Sequence, residues 1–274
     1  MCRHVAYVGE PVSIRAVLID PPHGLMTQAW APRRQRHGVV NADGFGIGWY
    51  AAGDPVPARY RRAGPIWSDE SFTDLSRVTR TGAVLGAVRS ATAGTEPGAC
   101  AAAPYADGRW LFSHNGALAG WPSASDDASG TPAKPGASAG QAGQAVHELA
   151  ARLPPADLLG LAARCDSALI WALVLARLRS GADLAAALSV TLGDLSAAGA
   201  AGRFNLLLTD GEAIAATAAG DSLCFRRQPA GVTVASEPCD DEDGWQDVPD
   251  GSVVDATPGQ VTVRPLPGRR WGSD

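Results

Sequence analysis

Met1-Cys2-Arg3-His4-Val5-Ala6-Tyr7-Val8 opens the chain, and the reading of this stretch decides the fold. Removal of Met1 would leave Cys2 with a thiol and a free α-amine on one residue. A thiol of pKa about 8.5 and an α-amine of about 7.7–8.0 are matched for proton transfer near neutral pH. Cys2 would then be nucleophile and base together. A cysteine also falls at position two by chance, so the remaining residues must decide between the readings.

From Arg3 to Val8 the alternation of polar and apolar residues predicts a strand. Pro11 suits a first helical turn, with Val12, Ile14, Val17 and Leu18 as an apolar face that Asp20-Pro21-Pro22 ends. A basic run, Arg33-Arg34-Gln35-Arg36-His37-Gly38, leads to Asn41-Ala42-Asp43-Gly44-Phe45-Gly46-Ile47-Gly48-Trp49-Tyr50, read as a turn at Asp43-Gly44 opening a second strand. That run lacks the spacing of a dinucleotide loop. Thr81–Arg89 and Arg109–Ser113 read as buried strands, the second ending at a turn-forming Asn115-Gly116. A Pro/Ser/Gly/Ala-rich stretch, about 122–143, reads as a flexible insertion.

Helical spacing follows over 145–153, 157–164, 166–179 and 184–195. The last third carries short strands at 204–209, 213–217, 223–227, 232–235, 253–255 and 261–264, separated by Asp-Gly and Pro/Gly turns. Strands, then helices, then strands predict α+β: two packed sheets with helices outside, in a single domain over 1–274.

The 274 residues, 46% hydrophobic, suffice for a sizeable core. A net charge of −5 argues against a nucleic-acid or anionic-membrane surface. The expected location is cytoplasmic, since no signal or spanning segment is legible. Five scattered cysteines and five histidines show no metal-ligand spacing, so no metal and no cofactor are expected.

Three polar features lie at predicted strand ends or helix starts: Arg89-Ser90, His114-Asn115-Gly116 and Asp166. Each has an ordinary structural explanation, as a sheet-edge cation, a turn and a helix N-cap. Together with Cys2 they match one substrate chemistry. A γ-glutamyl amide carries a carboxylate for an Arg fork, an ammonium for an Asp, and a carbonyl whose oxyanion needs N–H donors. Asn115 and Gly116 are candidate donors, Arg89 and Asp166 substrate ligands. Ser90 and His114 are placed with Arg89 and Asp166 as candidate substrate-binding residues, His114 also as a residue orienting its strand.

In these residues the sequence resembles the class II glutamine amidotransferases, a family of N-terminal nucleophile hydrolases. The resemblance rests on Met-Cys (1–2), Asn-Ala-Asp-Gly-Phe-Gly (41–46), Ala-Val-Arg-Ser-Ala-Thr (87–92), Ser-His-Asn-Gly (113–116) and Cys-Asp-Ser (165–167). It implies a four-layer αββα sandwich, with Cys2 as nucleophile and its α-amine as base. It also implies Asn115 and Gly116 as the oxyanion hole, Arg89 on the substrate α-carboxylate and Asp166 on its α-amine. Met-Cys-Arg-His (1–4), Ala-Pro-Arg-Arg-Gln-Arg-His-Gly (31–38) and Ala-Ser-Glu-Pro-Cys-Asp-Asp-Glu-Asp-Gly-Trp (235–245) are similar to the branch acting in ergothioneine biosynthesis. That branch removes glutamate from γ-glutamyl-hercynylcysteine sulfoxide.

The length leaves no room for a synthase domain, so hydrolysis is expected. The alternatives are a glutaminase subunit feeding ammonia to a separate synthase and a γ-glutamyl hydrolase of glutathione-like peptides. A non-catalytic binding protein on this fold would have little need of Cys2. The expected partner is a small γ-glutamyl substrate, without nucleic acid or membrane, and a homo-oligomer is compatible with the sequence. The acidic run Asp240-Asp241-Glu242-Asp243 lacks the ligand pattern of a calcium loop. If it bordered the site it would attract a trimethylammonium group, with Trp245 adding a cation–π contact.

Overall fold

The computed structural model describes residues 2–91, 95, 98–121 and 137–267. Its first strand, β1 (Arg3–Ser13), is followed by α1 (Ile14–Leu18) and α2 (Leu25–Gln28). Next come β2 (Phe45–Trp49), β3 (Ala58–Arg62), α3 (Glu70–Val78), β4 (Arg80–Val88), β5 (Tyr105–Asp107) and β6 (Trp110–Leu118). The helical middle contains α4 (Ala137–Ala150), α5 (Pro155–Leu159), α6 (Asp166–Arg179) and α7 (Leu184–Ala197). The last strands are β7 (Gly202–Thr209), β8 (Ile214–Ala218), β9 (Cys224–Gln228), β10 (Gly231–Ala235), β11 (Trp245–Asp247), β12 (Ser252–Thr257) and β13 (Gln260–Pro265).

Two antiparallel sheets result, ordered β11-β9-β10-β1-β4-β2-β3 and β13-β12-β8-β7-β6-β5. Side-chain alternation along β1 sorts the layers. Val5 and Tyr7 pack outward with Phe45, Val84 and the helical residues Ile14, Leu18 and Phe72. Ala6 and Val8 point inward, meeting Leu111, Leu207, Ala216 and Val254 of the second sheet. Phe112, Phe204 and Leu206 face away from that interface onto α4, α6 and α7. The order of layers is therefore helix, sheet, sheet, helix, an α+β sandwich as expected from the sequence. Helix α6 is apolar on nearly every side because it is buried between its sheet and neighbouring helices. Trp171 on it stacks over Phe112 at 5.2 Å, a pair worth about 0.5–1.5 kcal/mol beyond its buried area.

Several local expectations change. Pro11 lies within β1 instead of starting a helix; the helix begins at Ile14, with the Ser13 hydroxyl accepting from the Ala16 N–H. The register between β1 and β4 shifts between Val8 and Val12, and such an irregularity tolerates a residue without an N–H. The Asn115-Gly116 pair is not a turn. It lies inside β6, in register with Asn205 and Phe204 of β7. A Cβ at Gly116 would stand 1.9 Å from the Arg203 carbonyl oxygen, so the glycine is needed for close approach of two backbones. The helix expected over 157–164 is confined to Pro155–Leu159. Helix α4 begins at Ala137, inside the stretch expected to be flexible, and 122–136 lie outside the described residues.

Candidate active site

The central strand β1 carries Cys2 at its start, and β4, β6 and α6 bring the other candidates to it. Cys2, Arg89, Ser90, His114, Gly116 and Asp166 line a single pocket, together with Tyr105, Cys165 and Ser167. Burial pushes the Cys2 thiol above its usual pKa, while a hydrogen bond from the Ser90 backbone N–H and the Arg89 charge act in the opposite direction. Ser90 thus meets Cys2 through its backbone.

Arg89, at the end of β4, is buried and braced by the 41–46 segment. Its N–H donates to the Gly44 carbonyl at 2.8 Å and its carbonyl accepts from Asp43 at 2.9 Å. The guanidinium donates to the Asp43 carbonyl at 3.3 Å and to the Thr95 hydroxyl at 2.8 Å. The Asp43 carboxylate accepts in turn from the Ala91 N–H at 2.8 Å. Gly44 has φ 139°, a conformation that excludes most side chains at this crossing.

Asp166 stands in the first turn of α6, where the helix macrodipole favours a carboxylate. Its two oxygens accept from the Leu118 N–H at 2.9 Å and the Ser167 N–H at 2.8 Å, fixing its direction. Both ring nitrogens of His114 are engaged. Nε2 donates to the Arg203 carbonyl at 2.9 Å, so Nδ1 accepts from the Ser167 hydroxyl at 3.0 Å. This imidazole ties β6, β7 and α6 together.

Asn115 is fully buried, and neither atom of its side-chain amide has a partner among the described residues. It shares a face of β6 with Ser113, whose hydroxyl meets His4 Nδ1 of β1 at 3.2 Å. Asn115 itself is not among the residues that line the pocket, unlike its neighbours His114 and Gly116. Gly116 offers a donor. In the β6–β7 ladder the Ala119 N–H bonds to Ala201, so odd-numbered N–H groups point to β7 and even-numbered ones away from it. Leu118 N–H follows that rule and reaches Asp166. Gly116 N–H points the same way, and β5, which would have covered it, pairs β6 only as far as Phe112.

Sequence reasoning missed Tyr105 and gave no role to Cys165 beyond its place in the Cys-Asp-Ser motif; their hydroxyl and thiol lie 3.2 Å apart in the pocket wall. It also missed His4, which burial, with the charges of His114 and Arg3, holds at a pKa of about 3. The acidic loop does not play the part the sequence suggested. Asp240 forms a paired contact with Arg226 at 2.6 and 2.8 Å, and Asp241 binds Arg33 and His23. Arg226 also covers the Trp245 ring at 4.9 Å. These charges are neutralised within the fold, and none of residues 239–245 lines the pocket. Among the described residues, no group of three or more His, Cys, Asp or Glu side chains could hold a metal ion. No helix among them is long and apolar enough to cross a membrane.

This geometry has close counterparts in sequence. The chain is 38% identical over 267 residues to the γ-glutamyl-hercynylcysteine sulfoxide hydrolase of Mycolicibacterium smegmatis, covering 97% of this chain and 100% of the relative. The enzyme of the same name from Mycobacterium tuberculosis is 38% identical over 266 residues, with 97% of each chain covered. The chain belongs to the γ-glutamyl-hercynylcysteine sulfoxide hydrolase family. No protein-family model matches it. Solved structures agree on the fold of this family member. A glutamine aminotransferase class-II domain protein from Silicibacter pomeroyi superposes with a TM-score of 0.65 at 21% identity, covering 97% of this chain and 100% of the other. The glutamine phosphoribosylpyrophosphate amidotransferase of B. subtilis gives 0.65 at 15% identity, over 98% of this chain and 50% of its own. The hydrolase is an amide-cleaving enzyme on the N-terminal nucleophile amidotransferase fold.

Proposed function

We propose that the chain, acting as one class II glutamine amidotransferase-like domain, hydrolyses the γ-glutamyl amide of γ-glutamyl-hercynylcysteine sulfoxide to glutamate and hercynylcysteine sulfoxide. The observation that carries this reading is the convergence of Cys2, Arg89, Gly116 and Asp166 on one pocket, in a chain related along 97% of its length to hydrolases of that name.

Once Met1 is removed, the Cys2 α-amine takes the thiol proton and the sulfur attacks the γ-carbonyl carbon. Negative charge moves to the carbonyl oxygen, where the Asn115 Nδ2–H and Gly116 N–H receive it. Collapse breaks the C–N bond as the α-ammonium gives its proton to the departing amine. A glutamyl thioester on Cys2 remains. Water then attacks it, its proton passing to the α-amine, and a second collapse frees glutamate and the thiol.

Arg89 receives the substrate α-carboxylate as a two-pronged donor, and Asp166 its α-ammonium. The Ser90 N–H holds the sulfur on the attacking side. His114 is a positioning residue that keeps Asn115 and Gly116 in register with β7. The test is a mass-spectrometric assay of purified protein on γ-glutamyl-hercynylcysteine sulfoxide, glutathione and glutamine. The reading expects preferred release of glutamate from the first and none from a Cys2→Ala variant. Equal turnover of all three, or turnover by Cys2→Ala, contradicts it.

A further inference from the structure

A second, larger groove of about 660 Å³ lies outside the glutamyl pocket and shares no lining residue with it. One wall is the segment 33–36, and the other carries Asp221, Asp247 and Asp250. Both walls are fastened to the catalytic strands. Asn205, paired in register with Asn115, holds Asp221 through both ends of its amide: Nδ2 donates to the Asp221 carbonyl at 2.9 Å, and Oδ1 accepts the Asp221 N–H at 3.1 Å. Opposite, the backbone N–H groups of Arg33 and Arg34 donate to the Glu237 carboxylate at 2.9 and 2.7 Å. Glu237 also pairs with Arg3, the residue after Cys2. The segment then runs on to the pocket rim, where a Cβ at Gly38 would lie 3.8 Å from the Ser90 hydroxyl. Gln35 is held there by the Asn41 amide at 3.0 Å.

The charges of the groove are mixed. Arg34 is engaged with Asp247 at 2.5 Å, and Asp221 with Arg203 at 3.2 Å. Arg36 is exposed and has no carboxylate partner among the described residues. Asp250 is exposed and accepts only from the Gly220 N–H in the described hydrogen bonds, at 2.7 Å. Such walls suit a ligand bearing both signs. A hercynylcysteine sulfoxide group carries carboxylates and a trimethylammonium. The first is matched by a guanidinium fork. The second cannot donate a hydrogen bond and is stabilised by nearby carboxylates through charge alone.

We propose that this groove is the amine-side subsite, in which Arg36 receives a carboxylate of the leaving group and the exposed Asp250 faces its trimethylammonium. The proposal rests on the substrate assigned under the proposed function and adds the residues that select its amine half. It also gives buried Glu237 a role: through Arg3, Arg33 and Arg34 one carboxylate fixes β1 and the groove wall together.

The test measures kcat/KM for the hercynyl substrate and for γ-glutamyl-p-nitroanilide, whose leaving group is uncharged, in wild type, Arg36→Ala and Asp250→Asn. The proposal expects the ratio of the two constants to fall about tenfold or more in each variant, as for a lost charged hydrogen bond or ion contact. Both residues are exposed, and the ratio cancels any general loss of active protein. A ratio unchanged in both variants overturns the subsite. Wild-type turnover of the p-nitroanilide without turnover of the hercynyl compound overturns the assigned substrate, and the occupant of the groove with it.

Discussion

Replacing Glu237 with Gln tests how the site is anchored. The Arg3 and Glu237 side chains are both 0% exposed, and Nε and Nη1 of Arg3 have no partner among the described residues. The carboxylate therefore neutralises a cation with no other compensation in the described ion pairs, while also accepting the Arg33 and Arg34 N–H groups. Glutamine keeps the shape but turns one acceptor into a donor and leaves the guanidinium uncompensated. Removing one partner of a buried pair costs about 3–5 kcal/mol. For a chain of this size that lowers Tm by on the order of 10 °C. Differential scanning calorimetry of wild type and Glu237→Gln measures it. A drop in Glu237→Gln no larger than the roughly 3 °C of one ordinary lost hydrogen bond would refute the reasoning.

Other substitutions probe the chemistry. Asn115→Ala should lower kcat by about 10²–10³-fold with little change in Tm, because its amide has no partner among the described residues to lose; wild-type kcat in steady-state assays would remove it from the oxyanion hole. Arg89→Lys should raise KM far more than it lowers kcat, since an ammonium cannot reproduce the planar fork; an unchanged KM for the γ-glutamyl substrate would contradict the assignment. His4 has a folded pKa of about 3 against 6.5 when free, so between those values the unfolded chain binds the proton and the folded chain does not. Stability is therefore lost as pH falls through that window, and His4→Gln should show a flatter profile there in denaturant titrations. Parallel profiles would show that His4 does not titrate in this way.

Much of the candidate site was legible because the chemistry proposed for it calls for particular residue types at strand and helix ends. Cys2, Arg89 and Asp166 could be picked out from position and neighbours, and the structure brings them to one pocket. What was not legible depends on partners distant in sequence. Asn115-Gly116 has the local signature of a turn, and only pairing with β7 holds it in a strand. Pro11 has the signature of a helix start, yet the register shift against β4 keeps it in β1. The acidic run looked available to a ligand until the fold placed Arg226, Arg33 and His23 on it. The Arg3–Glu237 pair spans almost the whole chain, and nothing local marks either residue as buried.

The central claim is that Cys2, freed of Met1, carries the glutamyl group. Intact-protein mass spectrometry of enzyme quenched during turnover of γ-glutamyl-hercynylcysteine sulfoxide tests it most directly. The account predicts a starting mass without the initiator Met and a transient adduct of one glutamyl group on the N-terminal peptide, absent from Cys2→Ala. An active enzyme that retains Met1, or a glutamyl adduct on any other residue, would contradict it.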